Sequence, residues 1–462
     1  MEFTDLLVIL MLTTFIIILM TGFPIAFVLS GLAVVFAAVG YLSDLYLDTA
    51  TGLDFSVLGM IVMRVFNLMS NWVLVAIPMF IYMGLMLDRS GIAEKMMDAM
   101  QKMFGKVRGG LAISVALIGI ILAASTGIIG ASVVLLGVLS LPIMLRQGYD
   151  KSLALGTVAA SGTLGILIPP SIMLVIMADQ LNLSVGDLFM GAVIPGLILG
   201  VLYIVYILLT GLIRPGHAPL PKEREKISPL VFLNVLKTIL PPMGLIVLVL
   251  GSIFAGVATP TEASGVGALG ATLLVRYNKK LSFKVFKDVN KATFQTCAYI
   301  FGIFFGAQAF ALVLRMLGGD EFIERVLLGL PFGPMGIIAF IIALVFLMGF
   351  FLDWIEISLI FLPLLAPVLP GLGLEVNGYG VIEKPELVWF AVLVAVTLQT
   401  SFLTPPVGFT IFFLQGVAPE GVVLLDIYKG VVAFVVLQVI GFLLVFFWPS
   451  LVIWLPAMAY GY

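Results

Sequence analysis

The chain has a single cysteine (Cys297) and a single histidine (His217) in 462 residues. That inventory cannot supply a disulfide framework, a zinc cluster, a Cys/His nucleophile pair, or a haem or iron–sulfur site from this chain alone. Charge is scarce too. Only 10% of the residues are charged, where a soluble domain carries about a quarter. The 23 bases and 25 acids leave a net charge of -2, so no basic field exists to hold nucleic acid. HExxH and GxSxG signatures are missing, which argues against an intramembrane enzyme. The acidic start, Met1-Glu2-Phe3-Thr4-Asp5, is not the basic n-region of a cleavable signal peptide.

What the chain has in quantity is apolar sequence, 62% of it. A bilayer-spanning helix takes about 20 apolar residues, and the runs here predict an all-α polytopic membrane protein. Charged clusters divide them. Basic clusters at 88–108, 146–151, 214–237 and 276–291 are placed in the cytoplasm by the positive-inside rule. Acidic stretches at 41–54, 315–325 and 375–386 then fall outside. This sidedness leaves only Arg64, Arg315, Arg325 and Lys384 outside among the bases. It predicts spans at 6–21, 24–39, 55–87, 188–213, 238–257, 259–275, 291–315 and 430–456, with broken spans at 152–179 and 386–416. That makes about ten crossings, with both termini outside. Residues 110–145 and 335–370 begin and end on one side, so each reads as a re-entrant hairpin. The basic stretches 88–108 and 276–291 read as amphipathic arms on the cytoplasmic leaflet of the lipid bilayer.

A shift of 236 residues brings Pro24 onto Pro260 and Pro169-Pro170 onto Pro405-Pro406, and equivalent loops have opposite charge sign. The same order of elements with reversed sidedness is an inverted-topology repeat, an architecture of secondary transporters. Its parts are a first repeat at 1–213, a cytoplasmic linker at 214–237 and a second repeat at 238–462.

Chemistry concentrates at the breaks. In Ser161-Gly-Thr-Leu-Gly-Ile-Leu-Ile-Pro-Pro-Ser171, two prolines and two glycines predict unwinding around 162–168, with the prolines opening the next helix. Freed carbonyls and the hydroxyls of Ser161, Thr163 and Ser171 suit a hard cation. The counterpart, Thr397-Leu-Gln-Thr-Ser-Phe-Leu-Thr-Pro-Pro-Val-Gly408, is also hydroxyl-rich. One double proline alone would be a structural kink; two at equivalent places favour a binding site. The hairpins carry polar turns, Ala123-Ala-Ser-Thr-Gly-Ile-Ile-Gly-Ala-Ser132 and Gly349-Phe-Phe-Leu-Asp-Trp-Ile-Glu-Ile-Ser358. Three acids lie within apolar spans: Glu262, Asp353 and Glu356. An intramembrane acid marks a functional site by default. Asp353 and Glu356 suit Na⁺ or a carried proton, whereas Glu262 follows Thr259-Pro-Thr261 and reads as a helix cap. Gly265-Val-Gly-Ala-Leu-Gly270 has the dinucleotide spacing without a preceding strand and reads as helix packing. His217 reads as solvated linker and Cys297 as core.

The segments Ser161–Ser171, Ala258-Thr-Pro-Thr-Glu-Ala-Ser264 and Thr404-Pro-Pro-Val-Gly408 resemble signatures of the large, DctM-type membrane subunit of TRAP transporters, the tripartite ATP-independent periplasmic transporters. The resemblance covers nearly the whole chain. It implies Na⁺-coupled uptake of an organic acid across the bacterial inner membrane by an elevator mechanism, in the ion-transporter superfamily. It implies two partners, a small four-helix membrane subunit (DctQ-type), expected as a separate chain, and a periplasmic solute-binding protein (DctP-type). At least two Na⁺ sites are implied. The first would use Ser125, Thr126, Gly127, Gly130 and Ser132 with Gly162, Thr163 and Gly165; the second would use Asp353 with Thr400, Ser401 and Thr404. Substrate would meet Ser161, Ser171, Asp353, Glu356, Thr397 and Gln399. A stand-alone Na⁺- or H⁺-coupled anion carrier of the same superfamily is the alternative.

Overall fold

The computed structural model describes residues 3–105, 107–126, 129–220, 229–405 and 408–461, with backbone only at 55, 58, 123–126, 229 and 230. The described residues form helices and turns, with no strand among them. In an apolar medium each helix satisfies its own backbone, which is what so apolar a chain requires. Among the described residues eight helices are long and apolar enough to cross a bilayer, or nine with one bent pair, and five shorter apolar helices accompany them.

α1 (Phe3–Leu19) and α2 (Ile25–Leu47) are joined through Gly22, whose φ of 80° suits glycine, and Pro24. α2 runs past the expected end at 39, so the 41–54 loop shrinks to 48–54. In the last turn of α2, Asp44 accepts hydrogen bonds from the Thr51 and Gly52 N–H groups at 2.8 and 2.9 Å, folding the loop back on the helix. Asp54 caps α3 (Phe55–Met69). The expected continuous span 55–87 is instead bent by 57° before α4 (Ala76–Asp88). Asn71 stands at the bend, accepting from the Val73 N–H and donating to Asp179, so a side chain competes with the helical ladder. α5 (Ile92–Met103) is amphipathic: Met96, Met97 and Met100 are buried while Glu94, Lys95 and Asp98 are exposed.

α6 (Gly110–Thr126) and α7 (Ile129–Arg146) form the first hairpin. α8 (Lys151–Thr163) and α9 (Ile172–Leu181) are the halves of the first broken span, followed by α10 (Val185–Ile213). α11 (Pro229–Phe254) begins inside the stretch expected to be linker, so 229–237 is helical. α12 (Pro260–Tyr277) opens with the expected cap: Thr259 and Glu262 form a capping box. α13 (Phe283–Met316) and the short α14 (Gly319–Leu328) follow.

The second hairpin descends as α15 (Pro334–Met348) and returns in pieces: α16 (Trp354–Glu356), a π-helical turn at Ile357–Phe361, α17 (Leu362–Leu365) and α18 (Val368–Gly371). Pro363 has no N–H to continue an α ladder after the wide turn. α19 (Pro385–Leu403) and α20 (Phe409–Gln415) are the second broken span. The last expected span, 430–456, is two helices, α21 (Leu424–Phe447) and α22 (Ser450–Ala459). Pro449 accounts for the break, because it disfavours helical backbone at Trp448, which sits at φ -126°, ψ 78°.

Small residues set the helix crossings. A Cβ on Gly156 of α8 would lie 2.1 Å from the Gly430 carbonyl oxygen of α21, and one on Gly306 of α13 would lie 2.6 Å from that of Ala26 in α2. α19 is the most enclosed span: 94% of it is buried, against 39% for α2, α10 and α21. α8, α9 and α19 are therefore enclosed by other helices, whereas Phe412 and Phe413 of α20 are exposed.

Candidate functional site

The first break is longer and later than the prolines suggested. α8 remains helical through Thr163, a tight 3₁₀ turn covers Leu164–Ile166, and the chain is irregular until α9 starts at Ile172. Pro169 and Pro170 lie before the restarted helix and not in its first turn. Ser171 takes the capping position in extended geometry and accepts from the Leu174 N–H, the role in which serine is strongly preferred. Its hydroxyl donates to the Ile166 carbonyl at 2.5 Å, closing the irregular loop on itself. Gly165 is buried in the 3₁₀ turn, and Gly162 and Thr163 are buried at the end of α8.

The first hairpin holds this break from both arms. A Cβ on Gly119 of α6 would come within 2.6 Å of Ser161 Cβ, and one on Gly162 within 2.4 Å of a Val133 methyl on α7. Ser132 is buried next to Val133. The Ser161 hydroxyl is fully buried with no hydrogen-bond partner among the described residues. Gly127 and the side chains of Ser125 and Thr126 lie outside the described residues.

The second break repeats the arrangement. A Cβ on Gly349 of the second hairpin would lie 2.6 Å from both Cβ and Oγ of Ser401 on α19. Thr397, Thr400, Ser401 and Thr404 each donate to the carbonyl four residues earlier, at 2.8, 3.0, 2.9 and 2.8 Å. Their hydrogens are thus committed to the backbone, and the oxygens keep lone pairs for a cation or a donor.

Asp353 and Glu356 sit together at the hairpin turn. Asp353 caps α16 by accepting from the Trp354 N–H at 2.8 Å. Both carboxylates line a cavity of about 640 Å³ between the hairpin, α13 and the start of α2, with Tyr299, Phe27, Phe351 and Phe409 among its walls. Asp353 also lines an adjoining cavity of about 440 Å³ that reaches Gly130 and Ala131 of the first hairpin. One residue thereby faces both hairpins. Thr397 and Thr400 line a different, apolar cavity of about 460 Å³ between α15 and α21. Among the described residues no hydrogen bond joins Asp353 to Thr400, Ser401 or Thr404.

The structure also joins the breaks to each other. Gln399 of α19 donates to Thr163 Oγ1 of α8 and to the Tyr203 hydroxyl of α10, both at 3.4 Å. Gln438 of α21 donates to the same hydroxyl at 2.9 Å. Tyr203 and Gln438 were not expected. Their signal in the sequence is a lone amide in the apolar run of α21 and one of two phenols, Tyr203 and Tyr206, in that of α10.

The family model for the DctM component of the tripartite ATP-independent periplasmic transporters matches residues 12–451. The C4-dicarboxylate TRAP transporter large permease protein DctM of Vibrio cholerae is 28% identical, covering 85% of this chain and 87% of that protein. The sialic acid TRAP transporter large permease protein SiaM of the same organism is 27% identical over 96% of this chain and 97% of its own length. Among solved structures, the YdaH transporter of Alcanivorax borkumensis has a similar fold. Its TM-score is 0.60 at 11% identity, covering 86% of this chain and 89% of that one.

Proposed function

The chain belongs to the DctM-component family of tripartite ATP-independent periplasmic transporters, and on that premise we propose that it carries a small organic acid across the bacterial inner membrane, coupled to Na⁺. It is a transport protein and not an enzyme. The observation that supports the coupling best is the paired construction at the centre of the fold. In each half, a hairpin glycine closes on a serine of a broken, lipid-shielded helix, Gly119 on Ser161 and Gly349 on Ser401. Irregular backbone at such depth is tolerated where it is buried in protein or lines a water-filled cavity, and discontinuous helices are a recurring device of secondary transporters.

In this reading the two halves, 1–213 and 238–462, are inverted repeats with both termini periplasmic. The hydroxyl and carbonyl oxygens around Gly162, Thr163 and Gly165 take one Na⁺, with the turn at 125–132 on the hairpin side. Asp353 takes the second, with Ser401 and Thr404 of α19 as its partners; Thr400, which lines the cavity between α15 and α21, is left out. The solute passes between them, and the hairpins and broken helices move as a body against the frame of α2, α4, α12 and α13. A periplasmic solute-binding protein delivers the solute, and a small four-helix subunit completes the membrane complex.

The test is uptake in proteoliposomes that contain this chain and both partners. An inward Na⁺ gradient should drive accumulation, and Asp353→Asn should abolish or strongly reduce it while the variant purifies as wild type. Na⁺-independent uptake driven by a pH gradient would refute the coupling and make Asp353 a proton carrier.

A further inference from the structure

We propose that the transported solute bears a positively charged group (a protonated amine, an amidinium or a quaternary ammonium) beside its carboxylate. This rests on the reading of the cavity at the second hairpin as the solute's path, and it narrows that reading to a zwitterion.

The first observation is charge. The 640 Å³ cavity is lined by two carboxylates, Asp353 and Glu356, and no Lys, Arg or His is among its described lining residues. The adjoining cavity adds none. Arginine, with its planar fork, and lysine are the side chains best suited to hold carboxylates, and this lining offers neither. A Na⁺ at Asp353 would occupy that carboxylate and leave the Glu356 carboxyl to a cationic group, whose arrival favours its ionised form.

Glu356 itself supplies the second observation. It is 3% exposed, its Oε1 accepts from the Tyr299 hydroxyl at 3.4 Å beside the backbone N–H groups of Asp353 and Glu356, and its Oε2 has no hydrogen-bond partner among the described residues. A buried carboxylate oxygen is expensive to leave unpaired, so it waits for a donor or a cation. The third observation is the wall around it. Phe27, Tyr299, Phe351, Phe409 and Phe413 line the same cavity, and Trp354 lines the adjoining one. Aromatic faces attract cations, and rings around a carboxylate are how quaternary ammonium groups are recognised. Such a lining gives nothing to a second carboxylate.

The test uses the full chain purified in detergent with Na⁺ present, and two probes: trimethylglycine, which pairs a carboxylate with a quaternary ammonium, and succinate, a dianion. Binding is read by titration calorimetry and by the fluorescence of Trp354, with Trp354→Phe as the background. Trimethylglycine should bind at least about tenfold more tightly than succinate. Glu356→Gln should weaken trimethylglycine by about tenfold and leave succinate unweakened. Comparing the two probes on the wild type decides the matter even where the variant fails to fold. Succinate binding as tightly as trimethylglycine overturns the proposal, as does an unchanged trimethylglycine affinity in a folded Glu356→Gln. If Na⁺ raises the melting temperature while trimethylglycine does not bind, the charge assignment falls and the Na⁺-coupled reading stands. If Na⁺ has no effect and neither probe binds, both fall together.

Discussion

Tyr203 and Gln438 allow a sharp test of whether the buried polar chain is an interacting unit. Both are 0% exposed, and the Gln438 amide donates to the Tyr203 hydroxyl at 2.9 Å. Tyr203→Phe removes only the hydroxyl, because the ring stays edge-on against Phe434, with centroids 5.3 Å apart. Gln399 retains Thr163 as an acceptor, so the group left without a partner is the Gln438 amide. Stranding one buried donor costs about 1–3 kcal/mol. Gln438→Met, similar in shape and unbranched, leaves the hydroxyl only the longer 3.4 Å contact from Gln399, at a similar or smaller cost. The double variant leaves neither group and should lose much less than the sum. Interhelical hydrogen bonds in membrane proteins show coupling energies near 0.6 kcal/mol on average and about 1.7 at most. A coupling in that range is expected from reversible unfolding of all four proteins in mixed micelles. Losses that add to within about 0.3–0.5 kcal/mol would refute the reasoning, since additivity means the two side chains do not interact.

Other predictions concern packing, a helix cap and the linker. Gly156→Ala should destabilise by about 1–3 kcal/mol or more, because its Cβ meets a backbone carbonyl that cannot turn away, whereas Gly244→Ala, with nothing within 4 Å, should stabilise α11 by about 0.4–1 kcal/mol; the same unfolding assay compares them. At the start of α3, the hydroxyl and N–H of Ser56 and the N–H of Val57 hold the Asp54 carboxyl below its usual 3.8. A depressed folded pKa means that the cap's contribution is full above pH 3.8 and is lost as pH falls through the folded value. Melting curves recorded down to acid pH should show that loss in the wild type and not in Asp54→Asn. His217→Ala should change stability by under about 0.5 kcal/mol. Its Nδ1 lies 3.8 Å from Asp150 Oδ1 with both side chains partly exposed, and Asp150 keeps its cap on the Leu153 N–H without it. A melting shift of several degrees would contradict this.

Much of the fold was legible because its signals are local. Apolar run length placed the helices, the Thr259–Glu262 spacing gave a capping box, and the double prolines marked both breaks. Where local signals compete, the expectations slipped. Ser171 caps a helix that the prolines were expected to open, Asn71 bent a span whose hydropathy is unbroken, and Pro449 cut another. The hydroxyls of α19 were legible as chemistry. That Thr397 and Thr400 line a different cavity from Asp353 was not, because helix phase relative to a distant hairpin has no signature in sequence.

The polar chain was illegible for a further reason, and that reason bears on the architecture. Thr163 and Gln399 are 236 residues apart, the same shift that superposes Pro169-Pro170 on Pro405-Pro406. Tyr203 and Gln438 are 235 apart. A threonine and a glutamine do not resemble each other, so self-comparison finds no match at these positions. Yet in a two-fold arrangement a residue on the axis contacts its own equivalent, as in an isologous interface. Repeats related by such an axis can drift in sequence everywhere except where the axis forces equivalent positions together. There, drift has to produce a complementary pair instead of a matching one. Gln399 against Thr163 is such a pair, an amide donor facing a hydroxyl whose hydrogen is already given to the Ala160 carbonyl. On the proposed inverted repeat, such a contact between positions 236 residues apart is what a shared axis would require.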